Sequence, residues 1–142
     1  MLLYCLYRRR KLRYLRVIIA GSRGFTNYDL LSDKSSQIIS HILHNSNDIS
    51  DIEIVSGTAR GIDELGEEFA EVEGYHTIKF PVNWSLFGKR AGYIRNTEMA
   101  QYAVNDDSYG VLIAFWDGMS RGTKHMIDIA EEYGLEVHVI DF

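Results

Sequence analysis

Ile52-Glu53-Ile54-Val55-Ser56-Gly57-Thr58-Ala59-Arg60-Gly61-Ile62-Asp63 is the stretch on which the fold turns. The apolar run Ile52–Val55 predicts a strand. Ser56–Gly61 follows as a glycine-containing turn. From Gly61 to Glu73 the apolar residues Ile62, Leu65, Phe69 and Val72 recur at +3, +4 and +3, one face of a helix. Gly66 weakens that helix by about 1 kcal/mol relative to alanine, so it marks a place where something packs closely. Gly74 is placed to cap it. A turn of this kind presents backbone N–H groups at a helix N-terminus, where the helix dipole favours an anion, and phosphate is the anion expected.

The same alternation continues on either side. Upstream, Val17-Ile18-Ile19-Ala20 predicts a strand buried on both faces. Tyr28–His44 then carries a helical stripe through Ile38, Ile39, Ile42 and Leu43, and Asn45–Asp48 is a turn cluster. Downstream, Tyr75–Phe80 is a third strand stopped by Pro81, the only proline, and a loop runs to Gly88. Lys89–Val104 reads as a helix, Tyr109–Trp116 as a fourth strand, Arg121–Tyr133 as a helix with Gly134 as its cap, and Leu135–Ile140 as a last strand. Strands alternating with helices over short connections predict the α/β class: three layers, with a mainly parallel central sheet of about five strands.

A chain of 142 residues suits one domain with a sizeable core. The net charge of −5 is unevenly distributed. Arg8, Arg9, Arg10, Lys11, Arg13 and Arg16 stand among the first 16 residues without an acid, leaving nine basic residues against 20 acidic ones in the rest. Residues 1–15 are therefore expected to be a basic extension and 16–142 the folded domain. No apolar run reaches the roughly 20 residues of a transmembrane helix, so no membrane partner is expected. Met1–Tyr7 precedes the charges, the reverse of a signal peptide, and Cys5 is the only cysteine. A cytoplasmic setting follows as the expectation. The histidines are scattered without metal-ligand spacing, and neither a metal nor a cofactor is expected.

In a parallel sheet the turns after strands one, two and four share one edge, where open α/β sheets bind their ligands. Those turns are Gly21-Ser22-Arg23-Gly24-Phe25, Ser56–Gly61 and Asp117-Gly118-Met119-Ser120-Arg121-Gly122-Thr123. Each combines glycine, a hydroxyl and an arginine. Neither G-x-x-x-x-G-K-[ST] nor G-x-G-x-x-G is present, so ordinary P-loop and dinucleotide sites are not supported.

Five ordered blocks carry a resemblance. They are Ile18-Ile19-Ala20-Gly21-Ser22-Arg23; Ser56-Gly57-x-Ala59-x-Gly61-x-Asp63; Pro81-x-Asn83-Trp84; Gly88-Lys89-x-Ala91-Gly92-x-x-Arg95-Asn96-x-x-Met99; and Trp116-Asp117-Gly118-x-Ser120-x-Gly122-Thr123-x-x-Met126-Ile127. From about Arg16 onward the chain resembles the YspA/YpsA-related branch of the SLOG superfamily. The resemblance implies a Rossmann-like domain that binds a nucleotide or nucleotide-derived ligand, and a homodimer or larger homo-oligomer. Superfamily relatives include Lonely Guy phosphoribohydrolases, a DNA-processing protein acting on single strands, and sensors of NAD-derived signals such as ADP-ribose variants.

The Lonely Guy family carries R-K-x-x-M, similar to Arg95-Asn96-Thr97-Glu98-Met99, and G-G-x-G-T-x-E-E, whose glutamates serve hydrolysis. Gly122-Thr123 matches the second motif, but the glutamate positions fall on His125 and Met126. The carboxylate that would stabilise an oxocarbenium-like centre is absent from its place. The comparison thus implies binding of a nucleoside monophosphate or ADP-ribose-type molecule, to sense or sequester it. A phosphoribohydrolase, with Arg95 as its one catalytic candidate, is the alternative. Single-stranded DNA binding is the second alternative, and the acidic body argues against it.

Gly57, Thr58, Ala59, Gly122 and Thr123 are thus expected to cradle phosphate through the backbone. Arg23, Arg60, Lys89 and Arg95 would neutralise its charge, although each also suits an ion pair in an acidic body. Phe25 and Trp84 would stack on a base, core packing being the commoner fate of an aromatic. Asp63 and Asp117 would accept ribose hydroxyls or hold their turns. Ser120 would cap the helix beside it, and Gly21, Ser22, Ser56, Asn83 and Asn96 complete the expected ligand-binding set.

Overall fold

The computed structural model describes residues 11–142. Cys5 and the Arg8–Arg10 cluster lie outside the described residues. The elements are β1 (Arg13–Gly21), α1 (Tyr28–His44), β2 (Ile49–Ser56), α2 (Ile62–Glu73), β3 (His76–Lys79), α3 (Trp84–Phe87), a 3-10 turn (Gly88–Arg90), α4 (Ala91–Ala103), β4 (Ser108–Trp116), α5 (Arg121–Glu132) and β5 (Glu136–Asp141).

The five strands form one parallel sheet in the order β3-β2-β1-β4-β5. Alternate residues of the central strands feed opposite faces. Leu15, Val17 and Ile19 pack with Leu31, Ile39 and Ile42 of α1 and Phe69 of α2. Ile18, Val55, Leu112 and Ala114 pack with Met99 and Ala100 of α4 and Met126 and Ala130 of α5. The result is a three-layer α/β sandwich of the Rossmann-like kind. The glycine inside α2 has a packing cause: a Cβ on Gly66 would stand 3.3 Å from the Cβ of Ile19, so the helix lies close on β1. Gly74 adopts the left-handed conformation at φ 78° and closes α2 as a cap.

The strand β1 begins before the boundary expected from charge. Arg13, Tyr14 and Leu15 belong to it, and Leu15 is fully buried. Arg16, 6% exposed, is held by Glu53 at 2.8 Å and by the carbonyl of Tyr102 at 2.9 Å. Its guanidinium lies between the rings of Tyr14 and Tyr102. Partners far along the chain thus turn the end of a basic run into a buried strand. A second difference falls in the expected loop 81–88, which contains the short helix α3 capped by the Asn83 side chain.

Candidate functional site

Between β1 and β4 the sheet changes its direction of winding, and the connections from the two strands leave towards opposite faces. A crevice opens there, outside the carboxyl ends of the strands. The Asp117 N–H donates to the Ser22 hydroxyl at 3.1 Å, joining the two strand ends across the gap. A Cβ on Gly21 would stand 2.6 Å from the carbonyl oxygen of Phe115, so only glycine fits at this crossing.

The crevice is a cleft of about 850 Å³. It gathers the turns after β1, β2 and β4, the α3 segment and one side of α4. Of the expected residues, Gly21, Ser22, Arg23, Gly57, Thr58, Ala59, Arg60, Asp63, Trp84, Lys89, Arg95, Asn96, Asp117, Ser120, Gly122 and Thr123 line it. Ser56 and Asn83 do not line it. The buried Ser56 hydroxyl donates to Glu67 at 2.6 Å and accepts from the Thr58 N–H at 3.1 Å, setting the start of the turn.

Phe25 requires a correction. It is 1% exposed, packs its ring against Phe115 and Phe142, and does not line the cleft. A base cannot stack on a ring already enclosed by two others. Trp84, 60% exposed at the rim, does present an open face. Tyr93, Val82, Met99 and Met126 also line the cleft and were not expected there. The two methionines stood in the resembling blocks, whereas no local pattern marked Val82 or Tyr93.

The turn after β2 is unusual in its backbone. Thr58 has φ 59°, and among the described residues it is the one non-glycine residue with a positive φ. A β-branched side chain is costly in that region, so the surroundings must hold it there. One restraint is Asp63, whose carboxylate accepts from the Ala59 N–H at 2.8 Å. Another is Arg95, whose Nη1 donates to the Gly57 carbonyl. No side chain caps the N-terminus of α2, and its first residues, Ile62 and Asp63, line the cleft.

The electrostatics follow from burial. Asp63 is buried, and desolvation raises its pKa to about 6 against the opposing pull of the Ala59 N–H and Arg95. Burial also lowers the pKa of Arg95, with nearby Asp63 working the other way. Asp117 is exposed. The N–H groups of Ser120 and Met119 stabilise its carboxylate and hold its pKa below the ordinary value. Ser120 caps α5. No salt bridge among the described residues involves Arg23, Arg60, Lys89 or Arg95. The ion pairs that an acidic body would offer do not form there. The cleft therefore sets four cations against two carboxylates, each of which accepts backbone N–H groups.

His125 packs its ring against Tyr93, with centroids 4.3 Å apart, and meets the Asn96 side-chain nitrogen at 3.1 Å through Nδ1. Its pKa is lowered by burial, with Asp128 opposing. Among the described residues no group of three or more His, Cys, Asp or Glu is placed to hold a metal ion, and no helix is long and apolar enough to cross a membrane.

An all-parallel β3-β2-β1-β4-β5 sheet with its cleft at the winding reversal defines a Rossmann-like domain. The chain belongs to the YspA, cpYpsA-related SLOG family (YAcAr), whose profile matches residues 15–87. It is 32% identical over 131 residues to the Gene 61 protein of Mycobacterium phage D29, covering 86% of this chain and 93% of that protein. Its fold is similar to that of DNA processing protein A (DprA) from Streptococcus pneumoniae, with a TM-score of 0.60 at 20% identity over 89% of this chain. The match spans half of the DprA chain.

Proposed function

We propose that this protein binds a nucleotide or nucleotide-derived ligand, of the nucleoside monophosphate or ADP-ribose type, in the cleft at the strand ends, to sense or sequester it. The observation that carries the reading is the convergence of Arg23, Arg60, Lys89 and Arg95 with the uncapped N-terminus of α2. In a chain of net charge −5, such a concentration of positive potential favours a compact anion, and phosphate suits both the guanidinium groups and the backbone N–H groups. Trp84 offers a face for a base, and Asp117 an acceptor for a sugar hydroxyl. The proposal includes a cytoplasmic homo-oligomer, which rests on the family and on cysteine usage rather than on any contact.

Capture is favoured over cleavage because His125 and Met126 stand where the Lonely Guy motif carries its glutamates, and His125 is turned to Asn96. Mass spectrometry of small molecules released from the purified protein tests the reading. A nucleotide-derived mass is expected. Steady release of adenine from AMP would instead establish a phosphoribohydrolase. The DNA-processing protein among the fold neighbours motivates a single-strand assay, in which the acidic body predicts weak, strongly salt-dependent binding or none.

A further inference from the structure

Five polar groups form a connected set from α5 to the turn after β2. Asn96 lies at its centre and is 5% exposed. Arg95 Nε is 3.2 Å from Asn96 Oδ1. Asn96 Nδ2 is 3.4 Å from the Gly122 carbonyl and 3.1 Å from His125 Nδ1. Arg95 Nη1 in turn reaches the Gly57 carbonyl.

The chemistry of the two outer partners fixes the proton positions. A guanidinium can only donate, so the amide oxygen of Asn96 must face Arg95. A backbone carbonyl can only accept, so the amide nitrogen must face Gly122. That nitrogen therefore also points its second proton at His125, and Nδ1 must be the unprotonated acceptor with the ring proton on Nε2. We infer that His125 is a positioning residue: as a neutral Nδ1 acceptor it orients Asn96, and Asn96 orients Arg95 towards Gly57 and the cleft. Burial favours the neutral ring, and Asp128 pulls the other way. Tyr93 and Asn96 from α4 cover the ring, and Asp128 on its own helix is the charged group whose field reaches it. A proton on Nδ1 would place two donors face to face and turn the Asn96 oxygen away from Arg95.

Only the last step, the effect on a ligand, rests on the proposed function. The test therefore has two separate parts. In the first, nitrogen-15 NMR reads the His125 tautomer and the hydrogen exchange of the Arg95 Nε–H in wild type, His125→Phe and His125→Asn. Phenylalanine keeps the ring against Tyr93 and removes the acceptor, whereas asparagine can restore an acceptor near the Nδ1 position. The expected result is an unprotonated Nδ1 at neutral pH, exchange roughly tenfold faster in His125→Phe, and rescue in His125→Asn. A protonated Nδ1 in the wild type overturns the inference whether or not the variants fold. Equal exchange in wild type and His125→Phe overturns it as well. In the second part AMP is titrated into the same proteins, and affinity is expected to follow the exchange order. If exchange follows that order while AMP binds to none of them, the positioning role stands and the nucleotide-binding reading fails.

Discussion

Ser22 and Asp117 are joined across the reversal point of the sheet, the Asp117 N–H donating to the Ser22 hydroxyl at 3.1 Å. The bond closes the floor of the cleft between the ends of β1 and β4. Replacing Ser22 with alanine removes the acceptor while leaving the buried backbone in place. A loss of about 1 kcal/mol in urea denaturation is expected, with an unchanged m-value. An m-value that falls would mean that the strand ends separate more widely than one bond allows.

Two glycines predict opposite consequences for one added methyl group. At Gly21 the new Cβ would meet the backbone oxygen of Phe115, which cannot yield without parting β1 from β4. Gly21→Ala is expected to cost about 3 kcal/mol, read as a large fall in Tm. At Gly57 the Cβ would overlap the Arg95 guanidinium, the far end of a flexible side chain. Gly57→Ala is expected to cost about 1 kcal/mol and to displace Arg95, so its larger effect falls on ligand affinity.

Thr58 is held at φ 59° in the turn after β2. Asparagine tolerates that region better than a β-branched residue. Thr58→Asn is expected to raise stability by about 1 kcal/mol, measured by thermal unfolding. A fall in Tm would show that the threonine side chain makes a contribution outweighing its backbone cost.

Asp63 links stability to pH. Its carboxyl titrates near pH 6 in the folded chain, above the ordinary value of 3.8. Folding therefore favours the protonated form, and the associated stability is present in full below the ordinary pKa and lost as pH rises through about 6. Asp63→Asn lacks this titration. Relative to wild type, the variant is expected to gain about 2 kcal/mol between pH 4.5 and 7.5 in denaturant melts. Parallel stability curves would contradict this account of the group.

The parts of the fold legible from sequence were those set by local pattern. The stripe of isoleucines marked Tyr28–His44 at the residues where α1 lies, and Gly74 marked the cap of α2. The continuous β-branched runs marked the central strands. The start of β1 was hidden because Arg13 reads as part of a solvated basic arm until Asp48, 35 residues on, comes into contact with it. Phe25 was misplaced for a related reason. A ring beside a glycine turn suits a binding face, and only Phe115 and Phe142, both near the other end of the chain, decide that it is core. The three glycine turns announced the cleft, since a parallel sheet must bring them to one edge. The line from His125 through Asn96 to Arg95 had no such signal, because its members meet only when α4 and α5 pack side by side.

The central claim is that the cationic cleft holds a phosphate-bearing ligand through Arg95. Isothermal titration of AMP and ADP-ribose into wild type and Arg95→Ala, with circular dichroism to confirm that the variant is folded, tests it directly. Saturable binding of at least one compound by the wild type is expected, weakened at least about tenfold in Arg95→Ala. Binding of neither compound, or equal affinity in the folded variant, would contradict the account.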